Sequence, residues 1–211
     1  MNYSEISIES WKRKDIFKLF KTYDDPYFNI TFEVDVSNLY RQCRYKNYSF
    51  FLASLYMSTK AANAIDGFKL RFKEEQVIQY DKIDFGSTIL LEDNTFTFCY
   101  FEYLEDFEAF HAQGSIAIND AKTNREFKPK NDRDDLIHYS VIPWISLTSF
   151  KNARRGDSND AVPKIVFGKV HEVFNKKMMP VSVELHHAMA DGWDVGRYFD
   201  LFQKACDGGL I

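Results

Sequence analysis

The stretch at 48–65, YSFFLASLYMSTKAANAI, constrains the fold more than any other part of this chain. It is long, carries alanines, and is apolar around most of its circumference, with Ser49 placed near its start, so it reads as a mostly buried helix. A helix of that kind needs cover, and the runs around it read as β-structure. FNITFEVDV (28–36) is rich in β-branched and aromatic residues. FKLRF (68–72), QVIQY (76–80), DFGSTILL (84–91) and TFTFCYFEY (95–103) follow as short strands. PKIVFGKVHEVF (163–174) and KKMMPVSVELH (176–186) pair as a hairpin around Asn175.

Further helices are expected over 10–20 with Ser10 as cap, over 104–121 with Gly114 weakening the middle, and from Asp191 to Cys206. In the last, Val195, Tyr198, Phe199 and Phe202 form one apolar stripe. LIHYSVIPWISLTSF (136–150), interrupted by Pro143, reads as an edge or bent strand. Two polar stretches, 122–135 and 151–161, read as loops. Strands grouped between peripheral helices predict an α+β fold with a mixed sheet. No repeat or linker divides the chain, so a single domain over 1–211 is expected.

The formal charge of −4, with no dense Lys/Arg stripe, argues against nucleic acid as a partner. No window approaches the length of uncharged apolar sequence that a membrane span needs, and the N-terminus has no apolar signal core. Cys43, Cys99 and Cys206 are odd in number and lack CxxC spacing, which fits a reducing cytoplasm. Aromatic residues make up 17% of the chain, enough rings to line a pocket for a flat or apolar ligand as well as a core.

The chemistry concentrates in SVELHHAMADGWDVGRYF (182–199). A strand turns adjacent side chains to opposite faces, so only one of His186 and His187 can enter a given pocket. Asp191, beside Gly192 and ahead of the last helix, suits a cap or turn. Three readings fit: histidines hydrogen-bonded at a strand end with Asp191 as a cap; a metal site, which lacks a third ligand at recognisable spacing; or a general base, for which a neutral imidazole is well matched near neutral pH. No GxSxG elbow supports a covalent mechanism.

HHAMADG resembles the HHxxxDG signature of chloramphenicol acetyltransferases and, more loosely, the HxxxDG of other CoA-dependent acyltransferases. WKRKDIFKLF, the helix at 48–65, TFTF, SVIPWISLTSF and MMPVSVELHHAMADGWDVGRYFDLFQ follow the order and spacing of those enzymes, so the resemblance covers essentially the whole chain. It implies a single-domain CoA-dependent acyltransferase-like fold and a homotrimer with sites between subunits. It also implies direct acetyl transfer from acetyl-CoA, as co-substrate and without a metal, to a hydroxyl of chloramphenicol, giving antibiotic resistance, or of another small acceptor. By position, His187 would be the general base and Ser140 the oxyanion donor, with Asp191 paired to Arg13 in support and His186 facing away. Phe20, Phe28, Phe96, Phe127, His138 and Phe150 would line the acceptor pocket, and Trp144 the coenzyme channel. His111 and His171 read as surface or rim residues. A non-catalytic binding protein on this scaffold is the remaining alternative; the intact His187 and Ser140 weigh against it.

Three positions depart from that pattern. Asn152 and Arg154 stand where the resistance enzymes carry apolar contacts to the antibiotic, and Val170 replaces an aromatic residue that sits against the coenzyme in some of them. Arg154 and Arg155 are expected to meet coenzyme phosphates or solvent instead.

Overall fold

The computed structural model describes residues 2–74, 76–130, 132–154, 156 and 159–210. Two sheets carry ten strands among these residues, and the larger is mixed, as the sequence predicts. β1 (Tyr3–Ile6), β4 (Gln76–Tyr80) and β3 (Leu70–Lys73) form a small antiparallel sheet in the order β1-β4-β3. The larger sheet runs β2 (Tyr27–Asp35), β10 (Lys176–His186), β8 (Lys164–Phe167), β7 (Leu136–Val141), β5 (Asp84–Leu90), β6 (Phe96–Phe101), with β9 (His171–Val173) beside β10. β7 runs parallel to both neighbours; the remaining pairings of this sheet are antiparallel.

The helix expected at 48–65 is α3 (Phe50–Asn63), capped by Ser49, whose Oγ accepts from the Leu52 amide at 3.3 Å. It packs with α6 (Gly192–Gly208), α2 (Ser37–Lys46) and α5 (Phe107–Asn124) against one face of the large sheet. Ile137, Tyr139, Ile165, Phe167, Val181, Val183 and Leu185 alternate onto that face. A buried hydroxyl cluster ties the layers: Ser58 Oγ lies 2.7 Å from Tyr139 Oη and 2.5 Å from Tyr198 Oη. Gly114 is a packing requirement, because a Cβ there would sit 2.9 Å from a Leu52 methyl across the α3–α5 contact. The hairpin turns where expected, through Phe174 and Asn175, both at positive φ.

Four readings change. The first α-helix, α1 (Lys14–Phe20), begins at Lys14, not at Ser10, which closes a short 3-10 turn (Ile8–Ser10); α4 (Asp66–Lys69) is a single turn leading into β3. β7 is a central strand and not an edge strand, because it ends at Val141, before Pro143 could deprive its ladder of a donor. α2 was not expected from its polar sequence; it is anchored by Leu39 and Cys43, both buried. His111 is also more than a rim residue: its Nε2 accepts from the Ser49 amide at 2.9 Å. The three cysteines are free and buried. No helix among the described residues is long and apolar enough to cross a membrane.

Candidate active site

His186 ends β10 and His187 follows it. Strand alternation sends the two rings to opposite sides. His186 is 2% exposed, edge-on to Tyr27 and Phe72, with Nδ1 accepting from the Ala188 amide at 3.1 Å. His187 extends the ladder by one bond, its amide donating to Pro26 C=O at 2.8 Å. Its ring stacks on Phe20 from α1 (centroids 3.9 Å apart, planes 15°) and leans on Phe28 of β2 (4.7 Å).

The polar atoms of the His187 ring have defined roles. Nδ1 lies 3.2 Å from the Ala190 carbonyl oxygen. A carbonyl only accepts, so in neutral imidazole the proton sits on Nδ1 and Nε2 keeps its lone pair. The turn that supplies this carbonyl is held from two directions. The Met189 and Ala190 amides donate back to His186 C=O. Asp191 caps α6 through Trp193 N–H at 2.9 Å, while the carboxylate of Asp194 accepts from the Asp191 amide, completing a capping box.

Arg13 reaches across from the start of α1. Its Nη1 donates to Asp191 Oδ2 at 2.5 Å, and Nη2 to His187 C=O at 3.3 Å; its Nε has no partner. Burial works to raise the Asp191 pKa, but the Arg13 hydrogen bond and charge outweigh it and hold the carboxyl below its usual value. Asp194, by contrast, is raised by burial.

Ser140 lies elsewhere. On the outer face of the large sheet, the register sets Tyr100, Gly86, His138, Lys164 and Glu184 in one row across β6, β5, β7, β8 and β10. One step along the strands, Phe98 is level with Thr88, and Ser140 with Val166 and Ser182. Ser140, His138, Thr88, Phe98, Tyr100 and Asn152 line a cavity of about 560 Å³ above these rows. Gly86 is needed there: a Cβ would come within 2.7 Å of the Tyr100 ring. Burial, then the charge of Lys164, push the His138 pKa down to about 4, so the ring is neutral at physiological pH, and its Nε2 is buried without a partner.

His187 does not line this cavity. Ser140 is level with Val166, Val166 with Ser182 two strands over, and His187 stands five residues farther along β10. With a rise of about 3.3 Å per residue and about 4.8 Å between strands, the two are roughly 19 Å apart.

The remaining expected site residues divide between the two regions. Phe20 and Phe28 contact His187. Phe96 and Phe127 pack on each other and on Phe98 at the β6 edge, largely exposed. Phe150 is half-buried, its carbonyl 3.5 Å from Ser182 Oγ. Trp144, 61% exposed in the turn after β7, does not line the Ser140 cavity. Val170 packs against the main core.

Arg154 corrects an expectation: its guanidinium is buried and taken up by carboxylates of the protein. Its side chain is 8% exposed, with Nε donating to Glu184 at 2.8 Å, Nη1 to Asp160 at 2.9 Å, and the guanidinium carbon 3.8 Å from the Tyr27 ring centre. Glu184, facing outward from β10 and 3% exposed, would be a stranded charge without it. Arg155 lies outside the described residues. Phe98, Tyr100 and Lys164 were missed as lining residues; the alternation Phe96, Phe98, Tyr100 was the available signal.

A family model described as chloramphenicol acetyltransferase matches residues 1–203. A chloramphenicol acetyltransferase of Proteus mirabilis is 26% identical over 205 residues, spanning 97% of this chain and 94% of the relative. Chloramphenicol acetyltransferase 2 of Escherichia coli is 26% identical over 212 residues, all of both chains. A solved chloramphenicol acetyltransferase superposes with a TM-score of 0.87 at 28% identity, covering 96% of this chain and 99% of the other. The cubic core of the pyruvate dehydrogenase multienzyme complex gives 0.62 at 11% identity, over 86% of this chain and 81% of that one, a likeness of fold.

Proposed function

The chain belongs to the chloramphenicol acetyltransferase family, and on that premise we propose that it transfers acetyl from acetyl-CoA directly to a hydroxyl of a small acceptor, with His187 as general base. The observation that carries this is the Nδ1 contact to Ala190 C=O, which leaves Nε2 free to accept a proton. Nε2 takes the acceptor's hydroxyl proton as its oxygen attacks the thioester carbonyl. The tetrahedral oxyanion accepts a hydrogen bond from Ser140 Oγ. Collapse expels the CoA thiolate, which recovers the proton from Nε2. Asp191 and Arg13 hold the 187–191 turn and carry no proton.

In one chain, roughly 19 Å separates Ser140 from His187, so this chemistry needs the His187 of one copy to face the Ser140 cavity of the next. A closed ring of three satisfies every such contact, and that is the assembly proposed. The two groups of phenylalanines then meet around one acceptor, and one domain, 1–211, forms each subunit. Trp144, exposed beyond β7, remains the residue assigned to the coenzyme channel. Buried free thiols favour a reducing compartment, and the enzyme is placed in the cytoplasm.

Chloramphenicol, named by the relatives, is the first acceptor to test, and its turnover would carry the resistance role. The buried Arg154–Glu184 pair and Asn152 favour a more polar acceptor. Release of CoA thiol from acetyl-CoA, with chloramphenicol and with a panel of other alcohols, separates these. His187-dependent release sustains the proposal; none with any alcohol supports a binding protein instead.

A further inference from the structure

Buried polar side-chain atoms in folded proteins almost always have partners, and an orphan marks a place where something else supplies one. Among the described residues only Arg13 Nε, Ser54 Oγ, His138 Nε2 and Asn152 Nδ2 are buried without a partner. Two of these, His138 and Asn152, line the same cavity, the one that holds Ser140. They come from different segments, β7 and the 151–161 stretch, so one local distortion does not account for both.

We propose that the acceptor is a sugar-like polyol, a glycoside, whose non-reacting oxygens are held by Asn152 and His138. This rests on the acyltransferase reading above and names the class of its acceptor.

Each wall of the cavity fits that class. Asn152 Nδ2 is a donor, so it requires an acceptor oxygen. A neutral imidazole nitrogen either donates or accepts, and a hydroxyl answers both cases. Burial beside Lys164 keeps His138 neutral, with a pKa near 4. Thr88 and Ser140 add hydroxyls, and Lys164, its Nζ donating to Ala153 C=O, adds ammonium protons. The rings of Phe98 and Tyr100 supply a flat apolar floor, against which the C–H face of a pyranose can lie. At about 560 Å³ the cavity is within the range of small-molecule sites.

The polar wall is also locked in place. The Asn152 amide donates to Glu184 Oε2 at 3.1 Å, and Glu184 is in turn held by Arg154. Arg154 also reaches Asp160 within the same stretch, so Asn152 and Arg154 are tied to the sheet at Glu184. A loop fixed in this way presents the Asn152 amide group as a preformed contact rather than one ordered at a cost on binding. A site built to hydrogen-bond a hydroxyl discriminates strongly against ligands lacking it, because its own polar groups are then left unpaired.

The test compares methyl α-glucopyranoside, methyl α-galactopyranoside and methyl α-mannopyranoside with chloramphenicol, by thiol release and by titration calorimetry on the intact protein. We expect at least one glycoside to exceed chloramphenicol in kcat/KM and in affinity. Asn152→Leu and His138→Phe should each lower kcat/KM for that glycoside about ten- to hundredfold, through KM, and lower it less for chloramphenicol, so that the preference between the two acceptors shifts. Asn152→Asp keeps the shape and removes the donor; it should weaken glycoside binding even if the leucine variant misfolds. Chloramphenicol binding tighter than all three glycosides, no glycoside binding, or glycoside affinity unchanged in Asn152→Asp overturns the proposal. If nothing is acetylated, the acyltransferase reading fails, while calorimetry still decides the ligand class.

Discussion

The His187 turn and the Ser140 cavity sit on one sheet yet are built in opposite ways. Around His187, the site is local: residues 186–191 bond to one another, a helix cap fixes their exit, and Arg13 reaches in from α1 with charge. Above Ser140, the site is assembled from strands β3, β5, β6, β7 and β8 and from loop segments between them, and it leaves buried polar atoms unpaired. The first arrangement fixes one ring in one tautomer, as a reaction step requires. The second presents unmet hydrogen bonds, as selection of a ligand requires. Chemistry and choice of acceptor are therefore separable in this molecule.

The largest expected effects remove the reacting group that each region contributes. His187→Ala should lower acetyl transfer about 10²–10⁴-fold, and Ser140→Ala about 10²–10³-fold, both read as initial rates of thiol release. A sharper form combines them. If each site takes His187 from one copy and Ser140 from the next, mixed assemblies of the two inactive variants regain sites with both residues intact. Co-refolded mixtures should recover measurable activity where each variant alone has almost none. Mixtures as inactive as their components would break the two-copy model, and a fully active monomer would do the same.

The contrast also explains what could be read in advance. The two histidines were separable by strand alternation, and Asp191 was readable as a cap, because both depend on spacing within a few residues. Most strands and α3 were legible from β-branched runs and from an apolar circumference. Helix α2 was not, because its sequence is polar apart from the two residues that bury it, Leu39 and Cys43. The centrality of β7 was also hidden: Pro143 suggested an edge, and only the register shows the strand ending first. Arg154 read as a phosphate or solvent contact because its partner, Glu184, is thirty residues away and known only through β10. Lys164 was hidden for the same reason, since a cavity drawn from many segments has no signature in most of them; Phe98 showed only as an alternation with Phe96 and Tyr100.

A smaller effect is expected at the Arg13–Asp191 pair. Its side chains are 13% and 30% exposed. The cost of breaking it should fall between the about 0–1 kcal/mol of surface pairs and the roughly 3–5 kcal/mol of fully buried ones. Arg13→Ala should lower the melting temperature by about 2–4 °C per kcal/mol lost. Because the pair positions the turn that holds His187, Asp191→Asn should also reduce kcat with KM for acetyl-CoA little changed. A variant with lowered melting temperature but intact kcat would reduce the pair to a structural role and leave the His187 turn self-sufficient.

The smallest effect distinguishes the regions by pH. His138 has its pKa depressed from 6.5 to about 4 by burial, with Lys164, Arg71 and Arg154 adding to the shift and Asp160 opposing it. The unfolded chain therefore takes up a proton at this residue more readily than the folded one. Its contribution to stability is full above pH 6.5 and is lost progressively as the pH falls towards 4. Asp191, held below the usual carboxylate value, adds stability lost only at lower pH, as the carboxylate is protonated and its bond to Arg13 fails. Denaturation midpoints measured from pH 7 to pH 3 should thus show two separable declines. His138→Phe should make the upper one, between pH 6.5 and 4, shallower and leave the lower, with His111, also lowered by burial, supplying the remainder. Asp191→Asn should make the lower one shallower, a decline it shares with other paired carboxylates such as Asp35 and Asp135. An upper decline of unchanged depth in His138→Phe would mean that another group titrates there, and that the cavity does not hold its histidine neutral at a cost.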